Sequence, residues 1–127
     1  MNLLLDTHVI LWYISGNQKL PRKIINAINN PSNRCFISIA SIWEIAIKMS
    51  LGKLEIVGGF TTIENFLKDN DFEVLPIDLD DTKTLLRLEF IHRDPFDRMI
   101  VAQSITSGLV IVTRDVQLRD YQVEVLW

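Results

Sequence analysis

Apolar residues occur along the chain in short unbroken runs, separated by longer segments in which they recur every three or four positions. The runs are typical of strands buried on both faces of a parallel sheet, and the spaced segments are typical of amphipathic helices. Strands are predicted over residues 3–5, 35–37, 72–75, 109–112 and 123–126. Helical segments separate most of them. This alternation predicts an α/β sandwich with a mainly parallel sheet.

Capping and turn residues set the predicted helix starts, which in chain order are Asp6, Pro21, Ser41, Thr61, Asp80 and Asp94. Ser41 and Glu44 match the S-x-x-E capping box, in which the two side chains satisfy backbone N–H groups at a helix start. Gly58 and Gly59 indicate a flexible connection within one unit, because neither side of it is long enough to hold a core. A single domain over residues 1–127 is expected.

Composition places the chain among ordinary globular proteins, with 48% hydrophobic and 23% charged residues. The formal net charge of −3 argues against a broad polybasic surface, so a nucleic acid would have to be held by a local cluster of arginines. Cys35 is the single cysteine, which excludes an internal disulfide and a multi-cysteine zinc site. We expect it to be a small core residue.

The N-terminal apolar run predicts neither a signal peptide nor a membrane anchor. Asp6 and His8 interrupt it, and no basic segment precedes it. No window approaches the ~18 consecutive apolar residues that a membrane span requires. A cytoplasmic protein without a membrane partner is therefore the default expectation.

Residues 92–98 place two carboxylates and three basic side chains directly before an apolar helical segment. Asp94 is a plausible N-cap, and Pro95 suits the first helical position, where its missing N–H costs nothing. Asp97 follows three residues after the cap, near the positive end of the helix dipole. From this segment alone, helix capping and a catalytic role both remain open.

Acidic residues also follow the predicted strands. Asp6 and Asp115 lie at the carboxyl ends of strands, whereas Glu44 and Asp97 fall in the first turns of helices. In open α/β sheets, sites form in the crevice outside the carboxyl ends of the strands. If the topology brings these ends together, the four carboxylates converge.

Four carboxylates that lie close together repel one another, so their negative charge must be offset. Two unit charges about 5 Å apart repel by roughly 3 kcal/mol at an effective dielectric of about 20. A helix dipole stabilises a carboxylate at its N-terminus by only ~0.3 to 1 kcal/mol. Some carboxylates would have to be protonated, or a cation would have to bind. Oxygen ligands favour Mg²⁺ or Mn²⁺ over zinc. We expect His8 and His92 to be polar neighbours of such a site rather than ligands.

A carboxylate-bound Mg²⁺ suits phosphodiester hydrolysis, because it can activate water and offset charge on the phosphate. Arg93, Arg98 and Arg114 stand next to the proposed ligands and either hold substrate phosphates or form ion pairs with the acids. Thr113 either keeps the site in shape or hydrogen-bonds a metal-bound water.

Four motifs resemble those of PIN-domain proteins of the VapC toxin type. They are Leu4-Leu5-Asp6-Thr7-His8, Ser38-x-x-Ser41-x-Trp43-Glu44-Ile45, His92-Arg93-Asp94-Pro95-Phe96-Asp97-Arg98 with Ala102-Gln103, and Thr113-Arg114-Asp115. The resemblance covers essentially the whole chain, including Gly52-Lys53-Leu54 and the terminal Trp127.

The resemblance implies a PIN-like three-layer α/β/α sandwich and a Mg²⁺- or Mn²⁺-dependent endoribonuclease. It further implies the toxin component of a type II toxin-antitoxin system, with an RNA substrate, an antitoxin that occludes the site, and a homodimer. Asp6, Glu44, Asp97 and Asp115 match the family's acidic quartet and are the expected catalytic and metal-binding residues. Asp94 matches a position that the family uses at the helix start.

Two other functions remain open. A phosphoacceptor signalling domain of the receiver type would need adjacent acids after the first strand and a lysine after a late strand. Here the first strand offers only Asp6, and Thr113 is followed by Arg114. A non-catalytic binding module that keeps the PIN-like fold would have no affinity for Mg²⁺.

Overall fold

Five strands form one sheet in which every neighbouring pair is parallel. The computed structural model describes residues 1–127. The strands are β1 (Asn2–Leu5), β2 (Arg34–Ser38), β3 (Glu73–Leu75), β4 (Val110–Val112) and β5 (Val125–Leu126), in the spatial order β3-β2-β1-β4-β5. The predicted mainly parallel α/β sheet is confirmed, and each predicted strand is displaced by at most one or two residues at its ends.

Helices occupy both faces of the sheet. They are α1 (Thr7–Ser15), α2 (Arg22–Asn29), α3 (Ile39–Ser50), α4 (Phe60–Asp69), α5 (Leu79–Arg87) and α6 (Pro95–Ser107), followed by a 3₁₀ helix (Val116–Tyr121). None of them combines the length and the apolar content needed to span a bilayer.

The strand period of two divides the core between the faces. Leu3 and Leu5 of β1 pack with Val9 of α1 and Ile24 of α2 in one cluster. Leu4, between them, packs with Ile100 of α6 in a second cluster. All six side chains are buried. Helix layers therefore cover both faces of the sheet, and the predicted three-layer α/β/α sandwich is confirmed.

The order of the strands creates a switch point beside β1. The chain moves outward from β1 to β2 and β3, then crosses back to place β4 on the other side of β1. The connections that leave the carboxyl ends of β1 and β4 therefore diverge, which opens a crevice between them. Asp6 follows β1 directly, and Thr113 follows β4.

The capping box predicted at Ser41 and Glu44 is wrong. Helix α3 begins earlier, at Ile39, and the Ser38 side chain caps it by accepting a hydrogen bond from the Ala40 N–H at 3.0 Å. Glu44 instead bonds to side chains of its surroundings. A glutamate with tertiary partners of its own has no need of a cap contact.

The cap predicted at Asp80 is also wrong. Helix α5 begins at Leu79 behind a reciprocal box, in which Asp78 accepts from the Asp81 N–H and Asp81 accepts from the Asp78 N–H, both at 3.0 Å. Three nearby aspartates offered several choices, and the pair that satisfies two N–H groups at once is the one used.

Cys35 is a core residue, as expected. Its side chain is buried in the cluster that contains Leu3 and Leu5. Burial raises the pKa of the thiol to about 11, so it stays protonated and unreactive at neutral pH.

Candidate active site

Asp6 stands at the centre of the crevice between β1 and β4. Its carboxylate caps α1 by accepting the Val9 N–H at 2.9 Å, and its other oxygen accepts a hydrogen bond from the Thr113 hydroxyl. Its backbone N–H donates to the Val112 carbonyl at 3.0 Å, which extends the pairing of the two strands. Burial raises the pKa of this carboxyl, while the bonds from Thr113 and Val9 oppose the rise.

Thr113 joins the two acid-bearing strand ends. Its side chain is fully buried, donates to Asp6, and accepts the Asp115 N–H at 3.0 Å. These contacts agree with the first of the two roles that the sequence left open, keeping the site in shape, and the second, a hydrogen bond to a metal-bound water, stays a prediction.

Glu44 reaches the crevice from the second turn of α3. One carboxylate oxygen accepts from the Thr7 hydroxyl at 2.6 Å and the other accepts from the Lys48 ammonium at 2.8 Å. Glu44 is buried, so this ammonium offsets a charge that water reaches poorly.

Thr7 and Lys48 were not identified from the sequence as the hydrogen-bond partners of Glu44. Lys48 carried a usable signal, because a lysine four residues after a glutamate is a favourable helical pair. Thr7 stands beside Asp6 in the chain, but its contact with Glu44 depends on how α1 and α3 pack together.

Asp97 is carried by the first turn of α6, and the start of that helix is as predicted. Asp94 caps it by accepting the Phe96 N–H at 2.8 Å and the Asp97 N–H at 3.3 Å, and Pro95 is the first helical residue. The helix start therefore aims Asp97 at the crevice.

The pKa of Asp97 is raised to about 7. Burial is the largest cause, followed by repulsion from Asp94, Asp6, Glu44 and Asp115. The other three carboxylates of the predicted quartet therefore lie within electrostatic reach of Asp97. The four acids come from the end of β1, from α3, from α6 and from the segment after β4, which are far apart in the chain.

Asp115 lies at the outer edge of this group, where it caps the 3₁₀ helix by accepting the Gln117 N–H at 3.1 Å. His92 borders it, with 3.5 Å between the imidazole Nε2 and a carboxylate oxygen. The His92 backbone N–H donates to the Tyr121 hydroxyl at 2.6 Å. His92 is thus a neighbour of the acids, as is His8, whose charge lowers the pKa of Asp6.

The three predicted phosphate-binding arginines have different surroundings. Arg98 is buried, and its guanidinium donates to the Glu89 carbonyl at 2.9 Å and lies over the Phe90 ring, 4.5 Å from its centroid. It supports the segment between α5 and α6, so the prediction that it holds a substrate phosphate is not retained. Arg93 and Arg114 are exposed and have no carboxylate within 4.0 Å.

The donor set suits a hard divalent cation. All four acids offer carboxylate oxygens, and repulsion from the other acids adds to burial in raising the pKa of Asp97. No three acidic, histidine or cysteine side chains are placed to ligate one ion together. The arrangement fits Mg²⁺ or Mn²⁺ better than zinc, because Mg²⁺ is commonly held by one or two carboxylates and keeps several waters.

Fold and site together define an α/β protein with an acidic crevice at the switch point of a parallel sheet. Residues 3–124 match the family model of the PIN domain. The chain belongs to the PIN-domain family, and the resemblance to PIN-domain proteins found in the sequence is confirmed. A comparison with curated protein sequences gives no match.

Solved structures share the fold along their whole length. A chain in the structure of VapBC2 from Rickettsia felis bound to a DNA fragment from their promoter superposes with a TM-score of 0.77 at 14% identity, covering 99% of this chain and 98% of that one. A chain in the structure of DNA-bound VapBC from Salmonella typhimurium superposes with a TM-score of 0.75 at 22% identity, covering 99% of this chain and 97% of that one. A chain in the structure of VapBC-1 from nontypeable Haemophilus influenzae superposes with a TM-score of 0.74 at 20% identity, covering 99% of this chain and 97% of that one.

Proposed function

We propose that this protein is a Mg²⁺- or Mn²⁺-dependent endoribonuclease of the VapC type, which hydrolyses RNA phosphodiester bonds. The observation that carries the proposal is the crowding of Asp6, Glu44 and Asp115 around Asp97 at the switch point of the sheet. PIN domains are in general nucleases. The likeness of the chain to VapBC structures supports the narrower assignment.

Asp6, Glu44, Asp97 and Asp115 are the proposed catalytic and metal-binding residues. Because no three of them are placed to ligate one ion together, at most two would ligate an ion directly and the others would act through its waters. When bound, the cation would activate a water and offset charge on the scissile phosphate. Thr113 and Thr7 fix the orientation of Asp6 and Glu44 through the hydrogen bonds described above. Arg93 and Arg114, whose guanidinium groups are free of carboxylates, are proposed to contact the phosphates that flank the cleaved bond. Water is the nucleophile, so no phosphate becomes linked to the enzyme.

Cleavage of labelled cellular RNA by the purified chain in Mg²⁺ or Mn²⁺ tests the proposal. Asp6→Asn and Asp97→Asn are expected to abolish cleavage while the thermal unfolding transition stays cooperative. Asp69→Asn, an exposed acid at the end of α4, is the matched control and should cleave normally. Full activity of Asp97→Asn would contradict the assignment. A wild-type chain that neither cleaves RNA nor binds Mg²⁺ by calorimetry would instead support the non-catalytic binding module.

We further propose that the protein is the toxin of a type II toxin-antitoxin system and that the antitoxin covers an apolar groove beside the acidic crevice. The groove has a volume of about 480 Å³ and is lined mainly by apolar residues of α1 and of the segment before α4, which are Leu11, Trp12, Ile14, Leu54, Ile56 and Val57. Val57 is 96% exposed, so the groove is uncovered in the free chain. Trp12 lines both this groove and a cleft that contains Asp6 and Asp115, which gives a bound chain a path from the groove to these acids.

Growth assays test this partner. Expression of the chain is expected to arrest growth, and co-expression with the antitoxin recovered by co-purification is expected to relieve the arrest. Val57→Asp should prevent relief while leaving RNA cleavage intact, because a charge in an apolar contact costs binding. Relief that is unaffected by Val57→Asp would place the antitoxin elsewhere.

The homodimer is proposed on the exposed apolar face of α5. Leu79 and Leu86 are 77% and 86% exposed on that helix, and such side chains are usually covered in an assembly. Sedimentation of the wild-type chain should show a dimer that Leu86→Lys weakens. A monomeric wild-type chain would refute it.

A further inference from the structure

A second cleft adjoins the acidic site on the side of α1. It has a volume of about 480 Å³ and is lined by Asp6, His8, Trp12, Lys19, Arg114 and Asp115. That volume lies within the range of small-ligand pockets, roughly 300 to 1,000 Å³. Two of its six lining residues belong to the acidic quartet, so a ligand held here also reaches the proposed reaction centre.

The loop after α1 brings a cation over an aromatic ring. Gly16 ends the helix in the left-handed conformation, with a φ of 65°, and the Asn17 N–H turns back to the Trp12 carbonyl at 2.9 Å. The Asn17 side chain then accepts the Lys19 N–H at 2.9 Å. These contacts place the Lys19 ammonium 5.8 Å from the centre of the Trp12 ring.

The Trp12 ring has two tilted aromatic contacts and no parallel aromatic neighbour. His8 and Trp127 are its aromatic contacts, with centroids 5.8 and 6.2 Å away and interplanar angles of 45° and 54°. Tilted contacts fix the orientation of the indole without stacking on its face. A flat ligand could therefore stack on this ring once the Lys19 side chain, which lies over it, moves aside.

The two cations of the cleft lack carboxylate partners. Neither Lys19 nor Arg114 has a carboxylate oxygen within 4.0 Å, although both line a cleft that contains Asp6 and Asp115. Both side chains are exposed. Repulsion from the acids opposes the approach of a polyanion, so cations that remain free of the acids are needed to hold its phosphates.

We propose that this cleft binds one nucleotide of a single-stranded RNA next to the cleaved bond, with the base stacked on Trp12 and the adjoining phosphates held by Lys19 and Arg114. The inference rests on the proposed nuclease function and deepens it by assigning a position to the substrate. An aromatic face combined with unpaired cations is the usual means of binding single-stranded nucleic acid. Stacking accepts any base, so the cleft contributes affinity and strand position more than sequence selection.

Binding of a short fluorescein-labelled single-stranded RNA, measured by anisotropy in Mg²⁺, tests the inference. Asp97→Asn serves as the common background so that the RNA stays intact. Adding Trp12→Leu is expected to weaken binding about tenfold, the effect of losing one stacked base, and Trp12→Phe should restore most of it. Trp43→Leu, an exposed tryptophan outside the cleft, is the aromatic control.

The salt dependence separates the cations from the ring. Arg114→Gln and Lys19→Gln should each lower the slope of log affinity against log salt by about 0.7, the share of one phosphate on a single strand, whereas Trp12→Leu should leave the slope unchanged. Lys53→Gln, an exposed lysine after α3, is the charge control. The lysine and arginine side chains make no hydrogen bonds in the fold, so these variants keep the test valid if Trp12→Leu unfolds.

Failure of this inference differs from failure of the nuclease assignment. If the wild-type chain cleaves RNA and the three cleft variants bind RNA like the Asp97→Asn background, the inference is wrong and the cleft serves a protein ligand or none. If the wild-type chain neither binds nor cleaves RNA, the nuclease assignment itself is wrong, and this inference, which depends on it, is wrong too.

Discussion

The Thr113 hydroxyl donates a hydrogen bond to the Asp6 carboxylate across the switch point between β1 and β4. Both side chains are buried, and 107 positions separate them in the chain. The same hydroxyl accepts the Asp115 N–H. One small side chain thus determines the relative positions of two acids that arrive from opposite ends of the sequence.

Thr113→Val keeps the shape of this side chain and removes its hydroxyl. The buried Asp6 carboxylate and the partly buried Asp115 N–H then each lose a partner, which is expected to lower the free energy of unfolding by about 1 to 3 kcal/mol. Urea denaturation measures the loss. Thr61→Val, at an exposed position of α4, is the matched control and should change stability by less than about 0.5 kcal/mol. Equal effects of the two substitutions would contradict the role given to Thr113.

The raised pKa of Asp97 makes the metal-free protein sensitive to pH. A carboxyl with a pKa of about 7 in the folded chain and about 4 when unfolded binds its proton more tightly in the folded state. Its contribution is therefore fully present below about pH 4 and is lost as the pH rises through 7. Asp97→Asn should be more stable than the wild-type chain at pH 8 in chelator by roughly 1 to 2 kcal/mol, allowing for solvent screening.

Thermal unfolding at pH 5 and pH 8 measures this difference. The advantage of Asp97→Asn should be small at pH 5 and large at pH 8, and addition of Mg²⁺ at pH 8 should reduce it by stabilising the wild-type chain. A constant difference at both values of pH would show that the Asp97 carboxyl does not titrate in this range.

Lys48 neutralises the buried Glu44, so its removal is expected to be costly. Lys48→Met retains the aliphatic stem and deletes the ammonium, leaving the Glu44 carboxylate with Thr7 as its remaining side-chain donor. A loss of about 1 to 3 kcal/mol in unfolding free energy is expected, and Lys48→Arg should recover part of it. Lys53→Met, in the exposed segment after α3, provides the control. Calorimetric melting temperatures of the three variants give the comparison.

Substitution of Arg98 is predicted to lower stability, whereas substitution of Arg93 is predicted to weaken RNA cleavage. Arg98→Gln breaks the guanidinium bond to the Glu89 carbonyl and the contact with Phe90, so it should lower the free energy of unfolding by about 1.5 to 3 kcal/mol. Arg93→Gln should leave stability unchanged within about 0.5 kcal/mol and weaken RNA cleavage. Parallel melting and cleavage measurements on both variants check this. A stable Arg98→Gln with normal cleavage would contradict the structural role assigned to this arginine.

The sheet could be predicted from the sequence because its signal is local. Runs such as residues 3–5 and 109–112 are too short and too uniformly apolar for anything but a strand buried on both faces. The start of α6 could also be predicted, since Asp94 and Pro95 act within a single turn. These features depend only on neighbours in the chain.

The candidate site depended on contacts that no local pattern contains. That Asp6 and Asp115 flank one crevice follows from β4 returning to the side of β1, which is a property of strand order. Glu44 was placed in the acidic quartet but was also given a cap contact, because Thr7 and Lys48 were not recognised as its partners. Arg98 was assigned to substrate because the sequence does not reveal that its helix turns it inward. The spatial relations between the candidate residues came from the fold, and their catalytic roles stay predictions.

The central position of β1 also sets when the acidic crevice can first exist. β1 leaves the ribosome first, but its partner β4 ends at Val112, and Asp115 lies only twelve residues before the terminal Trp127 of this chain. A nascent chain that lacks these residues has Asp6 without Thr113 and a sheet open on one side of β1. Assembly of the acidic group therefore waits until translation has passed residue 115, and truncated products that end earlier lack the crevice altogether.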